Sequence, residues 1–408
     1  MNKQKIIVLL LGVGIVVAMA YYGVRAFTRL EPVTSLSVSS DGRYVISAHE
    51  DGALVLWDID AQQREKLADD SNLYSAYFIP EGDAFLWQDQ NDVVYVQRVD
   101  GEVVEEFEHF PTYGHVMSAD RQHYLSSNQT WNIYHGYGDA LRPVLLDSQS
   151  PSFTGTGQVL NLSMGGGFFV SGGSGSPGGE LEDSPPVREE DEFRFSSSYG
   201  GVTLWDIDTL EPVAKLLGNS SKTYATISPD GQWVVSGDEN TIGLFWNTEL
   251  PEERHRMASY DHGLYRDNLP EGLEEDEYWD ESQLISVPES TKQDKWGNIR
   301  SLATPKTIAI AFVNDSEEFL RIGQAQYEGK EMSRAYAALF EGGNPWPQAY
   351  LDLGTDPFPS INNYSRNLSI DSAPDANMLV TGHAFDGGIT VYRYDPEERT
   401  LAKEWVGR

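Results

Sequence analysis

Not one cysteine occurs in the 408 residues, which excludes disulfides, thiolate nucleophiles, cysteine-bound metals and a lipidated N-terminal cysteine. Positive charge is scarce as well. Lysine and arginine number 29 against 63 aspartates and glutamates, a formal net charge of -34, and Lys3, Lys5, Arg25 and Arg29 already account for four of the 29. A surface so acidic repels phosphate backbones and anionic lipid heads, so nucleic acid is a poor partner and a basic protein a better one. Catalytic signatures are missing too: there is no G-x-S-x-G elbow, H-E-x-x-H, phosphate loop, G-x-G-x-x-G opening a helix, or EF-hand spacing. His255 and His262 lie seven apart in an acidic stretch, match no ligand spacing and read as solvated loop side chains. The carboxylates form no D-x-[DN] series for calcium. No cofactor and no metal is therefore expected.

Long apolar runs are absent with one exception. In "MNKQKIIVLLLGVGIVVAMAYYGVRAF", the run from Ile6 to Val24 carries no charge and can cross a hydrocarbon core of about 30 Å. Residues 1–30 thus read as a signal-anchor or transmembrane segment, with Lys3 and Lys5 favouring a cytoplasmic N-terminus. The remainder is expected on the far side: a single-pass protein of a cell inner membrane with its bulk in the periplasm. Ala18-Met19-Ala20 fits a cleavage site, so the alternative is a processed chain, soluble in the periplasm or secreted.

Hydrophobic residues at 40% and aromatics at 12% supply a core for the rest, and that core is written as a repeat. Taking Ser40 to Trp57, "SDGRYVISAHEDGALVLW", as template, Pro80 to Gln97 aligns without a gap at an offset of 40. Pro229 to Trp246 aligns without a gap at 189. Weaker copies span Ala119 to Tyr134, Met164 to Trp205, Asn314 to Phe340, and Pro374 to Tyr392. Each unit reads as an alternating strand, an Asp-Gly type turn, a second strand, a tight polar turn and a third strand ending in a Trp slot. A fourth, less regular strand follows. Such a sheet buries both faces only between neighbours, so the units must stack around an axis.

These units resemble the WD-repeat β-propeller family, through "SPDG" at Ser228 to Gly231 and "LWDID" at Leu56 to Asp60 and again at Leu204 to Asp208. The resemblance implies an exported or membrane-anchored bacterial member with an all-β propeller over residues 31–408, of seven blades with four antiparallel strands each. The slots are Trp57, Gln97, Tyr134, Trp205, Trp246, Phe340 and Tyr392. With insertions at 172–199 and 249–298 set aside, about 43 residues remain per unit, within the family's 40 to 45. The family's Gly-His dipeptide ahead of each unit is missing. Its buried Asp-His-Ser-Trp network is therefore expected to be incomplete, and blade stability to rest more on aromatic and apolar packing. The first unit opens directly with "PVTSLSVS" and "TLAKEWVGR" can supply the last fourth strand, so closure is expected without the strand exchange usual in the family.

Function is sought where units depart from the template. The insertion at 172–199, rich in Gly, Ser, Pro and acids, reads as a loop on the top face; the insertion at 249–298 mixes acids with Tyr260, Tyr265, Tyr278, Trp279 and Trp296. Aromatics among charges suit a binding surface, although the same rings could pin the insertion to the propeller wall. The end of each second strand brings His49, Asp89, Asn128, Gly173, Asp238 and His383 to equivalent positions, a ring on the top face. The reading favoured is a membrane-tethered interaction scaffold whose partner is another envelope protein with a basic surface. The alternatives are a propeller hydrolase or lyase, or a sensor of a small ligand or metal, working at the central channel; oligomeric state stays open.

Overall fold

The computed structural model describes residues 30–72, 76–80, 82–109, 114–127, 133–136, 138–144, 158–174, 202–216, 223–238, 243–257, 307–314, 317–326, 333–354, 369–383 and 386–408. The apolar run at 6–24 lies outside them. Among the described residues no helix is long and apolar enough to cross a membrane. Helical structure there is confined to the short 3-10 turns Gly138–Ala140 and Pro374–Ala376.

Seven four-stranded antiparallel sheets occupy residues 33–68, 77–108, 114–144, 158–216, 223–256, 307–354 and 370–407, numbered here blades 1 to 7. Every sheet consists of four consecutive strands in order. The last takes Thr400–Gly407 as its fourth strand, so no strand is exchanged between the chain's two ends. First strands pack on the first strands of neighbouring blades and therefore line the axis.

Alternation explains why the second and third strands look hydrophobic throughout. In blade 1, Val45, Val55 and Trp57 face blade 7, whereas Ile46, Leu54 and Leu56 face blade 2. Both faces are buried, so polar alternation disappears. Seven hydrophobic clusters fill the seven seams, one between each pair of neighbours. The slot residues Trp57, Trp205, Trp246, Phe340 and Tyr392 are almost wholly buried, each against the preceding blade. Phe169 stacks on Trp205 and Phe319 on Phe340, each pair directly cross-strand.

Four slots lack the template's Trp; Phe340 keeps its buried place, and the other three depart further. Gln97 does stand in the slot of blade 2, and its Oε1 accepts a hydrogen bond from Trp87 Nε1 at 2.9 Å, because the indole has moved across to the second strand. In blade 3, Tyr134 pairs with Ser126, two residues from the slot; Gly136 donates its N–H to the Tyr124 carbonyl, and Tyr124 itself fills the space. The turn has the template's length: Gly136 stands opposite Tyr124 as Trp57 stands opposite Val45, so the slot of blade 3 holds a glycine. In blade 7, Tyr392 fills its slot and also donates its hydroxyl to the Leu353 carbonyl of blade 6 at 2.7 Å.

The insertions are shorter than the sequence suggests. Gly172 to Ser174 continue the second strand Phe168–Ser174, and Leu250–Arg256 is the fourth strand of blade 5. His255 is correspondingly no solvated loop residue; its ring stacks on Phe245 at 4.9 Å between centroids.

The candidate interaction face

Register fixes which chain ends share a face. In blade 5 the start of the first strand at Thr223 pairs with Asp238, Gly237 pairs with Gly243, and Leu244 pairs with Arg256. Second-strand ends, third-strand starts and fourth-strand ends therefore lie along one edge. The described chain breaks off after Ser174 and after Met257 at that edge and resumes at Val202 and Thr307, so both insertions join one face. Tyr260, Tyr265, Tyr278, Trp279 and Trp296 lie outside the described residues, as does Asn128.

His49, Asp89 and His383 commit their polar atoms to their own blades. His49 is fully buried. Its Nδ1 lies 2.8 Å from the Glu31 carbonyl, which can only accept, so Nδ1 carries the proton and Nε2 accepts from Ser47 Oγ at 2.9 Å. Trp57 Nε1 donates to the same Ser47 Oγ at 2.8 Å. Burial lowers the imidazole to about 4, which keeps it neutral. In blade 7, His383 Nδ1 sits 2.7 Å from Asp386 Oδ1 and Nε2 2.8 Å from Thr390 Oγ1. That hydrogen bond holds the Asp386 carboxyl down at about 2. Asp89 Oδ1 accepts the N–H groups of Asn91 and Val93 and so shapes its own turn. Asp238 closes the second strand of blade 5 opposite Thr223, and Gly173 occupies the equivalent place in blade 4.

The polar network expected to be incomplete is present in pieces. His109 Nε2 meets Ser126 Oγ of the following blade at 2.7 Å, and Trp205 Nε1 donates to Ser171 Oγ at 3.2 Å. Burial and the neighbouring His115 lower His109 to about 4. In blades 1 and 7 the histidine has moved to the end of the second strand, where a search for Gly-His ahead of each unit does not find it. His49 and His383 do flank one place, the seam where the chain enters: Val33 N–H donates to the His383 carbonyl at 3.0 Å.

Exposed carboxylates crowd this part of the face. Glu50 and Asp51 lie in the turn after the second strand of blade 1, and Asp69 and Asp70 follow its fourth strand. Among the described residues no group of three or more His, Asp or Glu side chains is placed to hold a metal ion.

One arrangement had no signal in the repeat: a hoop of side chains around the axis. Asp371 Oδ2 accepts from Val38 N–H at 2.9 Å, Ser37 Oγ from Phe78 N–H at 3.0 Å, and Ser163 Oγ from Ile227 N–H at 3.3 Å. The Tyr77 hydroxyl bonds the Met117 backbone in the same way. Each bond ties a blade to its successor at the same register. Val116 and Ala311 hold the corresponding positions in blades 3 and 6 and contribute no polar group.

The family model described as WD domain, G-beta repeat, matches residues 27–58. Among solved structures the chain is similar to the Myceliophteria thermophila Cps50 (Swd1) β-propeller domain, with a TM-score of 0.54 at 14% identity over 89% of this chain and 96% of that one. It is also similar to KlHsv2 with loop 6CD replaced by a Gly-Ser linker, with a TM-score of 0.51 at 9% identity over 92% and 98%. No curated protein sequence matches it. At these identities the likeness describes the fold alone. Sheet order and structural likeness agree that the chain folds as a seven-bladed β-propeller, and one WD repeat is recognised in it, in the first blade.

Proposed function

We propose that this propeller is a membrane-tethered extracytoplasmic scaffold that binds a basic envelope protein through the face carrying its two insertions. The supporting observation is that strand ends bring both insertions to one face, together with the exposed carboxylates of blade 1. The insertion segment adds "EEDEYWDE", in which Tyr278 and Trp279 are the apolar anchors and the acids steer the partner. Pull-down from detergent-solubilised membranes supplies the partner. Changing Tyr278 and Trp279 together to Ala then weakens binding by roughly 2 to 4 kcal/mol, mainly through faster dissociation. Neutralising Glu274, Glu275, Asp276 and Glu277 slows association and flattens its salt dependence. A double alanine variant that keeps its partner but melts much lower assigns the rings to the fold and refutes this reading.

A further inference from the structure

The face opposite the insertions carries a histidine pair that the repeat did not mark. His135 ends the third strand of blade 3 and stands cross-strand from Leu125. His123, two residues before Leu125, projects to the same side, toward blade 4, where Leu125 and Ile133 pack into the seam beneath. His123 Nδ1 lies 3.2 Å from His135 Nε2, with the ring planes tilted by 38°. Asp208, in the third-to-fourth-strand turn of blade 4, places its Oδ1 3.7 Å from His123 Nε2. The far nitrogen of the pair is stranded: His135 Nδ1 is buried and has no hydrogen-bond partner among the described residues.

These neighbours decide where the protons sit. A carboxylate can only accept, so Asp208 keeps the proton of His123 on Nε2 and leaves a lone pair at Nδ1. His135 has one proton to place, because burial, His123 and Arg142 hold its imidazole below the ordinary value and neutral. On Nε2 that proton bridges the two rings and leaves Nδ1 a bare lone pair in a buried place. On Nδ1 it leaves two lone pairs facing each other across 3.2 Å, an arrangement that a cation resolves. Two nitrogens held at about 2.0–2.1 Å by one tetrahedral ion stand about 3.3–3.4 Å apart, close to that gap. A carboxylate at the other nitrogen of a bound histidine orients the ring and raises its basicity. The surrounding charge is mixed: Asp120 also acts on His123 and favours a cation, whereas Arg142, cross-strand from His135, opposes one.

We propose that His123 Nδ1 and His135 Nε2 bind one divalent transition-metal ion, of the imidazole-preferring class that includes zinc and copper, at the rim of the seam between blades 3 and 4, with Asp208 orienting His123 from across the seam. Two protein ligands leave the other positions to water, so the site is open and exchangeable and not a closed structural centre.

The full chain, purified without a histidine tag and stripped with EDTA, is titrated with zinc chloride by calorimetry at about pH 7.5, where imidazoles are deprotonated. Copper(II) at one equivalent is followed by EPR. One tight zinc per chain is expected, with two nitrogens bound to copper. His123→Gln and His135→Gln each weaken zinc binding at least about tenfold and remove one nitrogen from the copper spectrum, and Asp208→Asn weakens zinc binding about tenfold. Arg142→Gln removes the opposing cation and tightens binding at least about twofold, a gain that no misfolded variant gives. Absence of a stoichiometric zinc overturns the site and leaves a pair that shares only a proton. Zinc and copper binding unchanged in both histidine variants also overturns it, by placing the ion elsewhere on this acidic chain. Loss in the histidine variants with lowered melting, and without the gain in Arg142→Gln, assigns the loss to folding and refutes the site as well. Parental affinity in Asp208→Asn overturns the part given to Asp208.

Discussion

At the residue scale the structure turns on polar groups that the apolar pattern conceals. His49 shows the consequence. Because the Glu31 carbonyl fixes the proton on Nδ1, protonation of Nε2 would set an N–H against the Ser47 hydroxyl and place a charge in a sealed seam. Its folded value of about 4 lies below the unfolded 6.5. The unfolded chain therefore takes up the proton first on acidification, and stability present above pH 6.5 is lost as the pH falls toward 4. A separation of about 2.5 units corresponds to roughly 3 kcal/mol. Urea midpoints of the parent should fall between pH 7 and 4.5, and those of His49→Gln should fall less over the same range. Histidine NMR titration gives an independent check: one imidazole that becomes charged near pH 6.5 in the folded protein, in place of the shifted signal, would refute the assignment.

At the scale of strands, the sequence was legible wherever burial is dictated by period, and illegible wherever partners come from another blade. "LVLW" and "YVIS" announce strands buried on both faces, and the Trp slots of blades 1, 4 and 5 could be placed by alignment alone. The slot of blade 3 could not, because the structure keeps the template register there and puts Gly136 in the slot, a residue with no side chain to mark it, so the aromatic Tyr134 two residues earlier drew the alignment. Leu250–Arg256 was hidden for a different reason: an outer strand with one solvated face reads like charged loop. The axial hoop was hidden because Ser37, Tyr77, Ser163 and Asp371 share a position but no chemistry beyond an oxygen. Its strongest member makes a prediction. Burial raises the Asp371 carboxyl above its ordinary 3.8, so the folded state holds that proton more tightly and ionisation works against folding as the pH climbs. Asp371→Asn keeps an acceptor and removes the ionisation, so its melting temperature should match the parent near pH 4 and exceed it toward neutrality. Asp371→Ala strands the Val38 N–H and the Ser37 hydroxyl, costs about 1 to 3 kcal/mol and speeds exchange of the Val38 amide. An alanine variant with parental melting and a protected Val38 would show that the hoop holds nothing.

At the scale of the whole molecule the question is what closes the ring. With every blade built from its own four strands, the seam between blades 7 and 1 lacks the shared strand that covalently overlaps the ends in many propellers. The sequence foretold that absence, but not its substitute. Hydrophobic packing of Leu30, Val33, Leu36, Val45, Val55 and Trp57 on Met378, Val380, Ile389 and Val391 seals the interior. The lead-in to the first strand, residues 30–33, locks the edge. Gly387 is where this lock can be tested, because its φ of +65° and the proximity of Leu30 and Glu31 leave no room for a side chain. Gly387→Ala adds left-handed strain to an overlap with backbone that cannot swing aside, a cost of about 2 to 4 kcal/mol. The damage should be local before it is global. Hydrogen exchange should accelerate at Val33 and Glu50, whose N–H groups bond His383 and Pro32 across the seam, while amides of the second strands in blades 3 to 5 keep their protection. A variant with parental melting and unchanged exchange at Val33 and Glu50 would mean that the packed seam closes the propeller without the lead-in; uniform acceleration in all blades would mean that closure is inseparable from the fold as a whole.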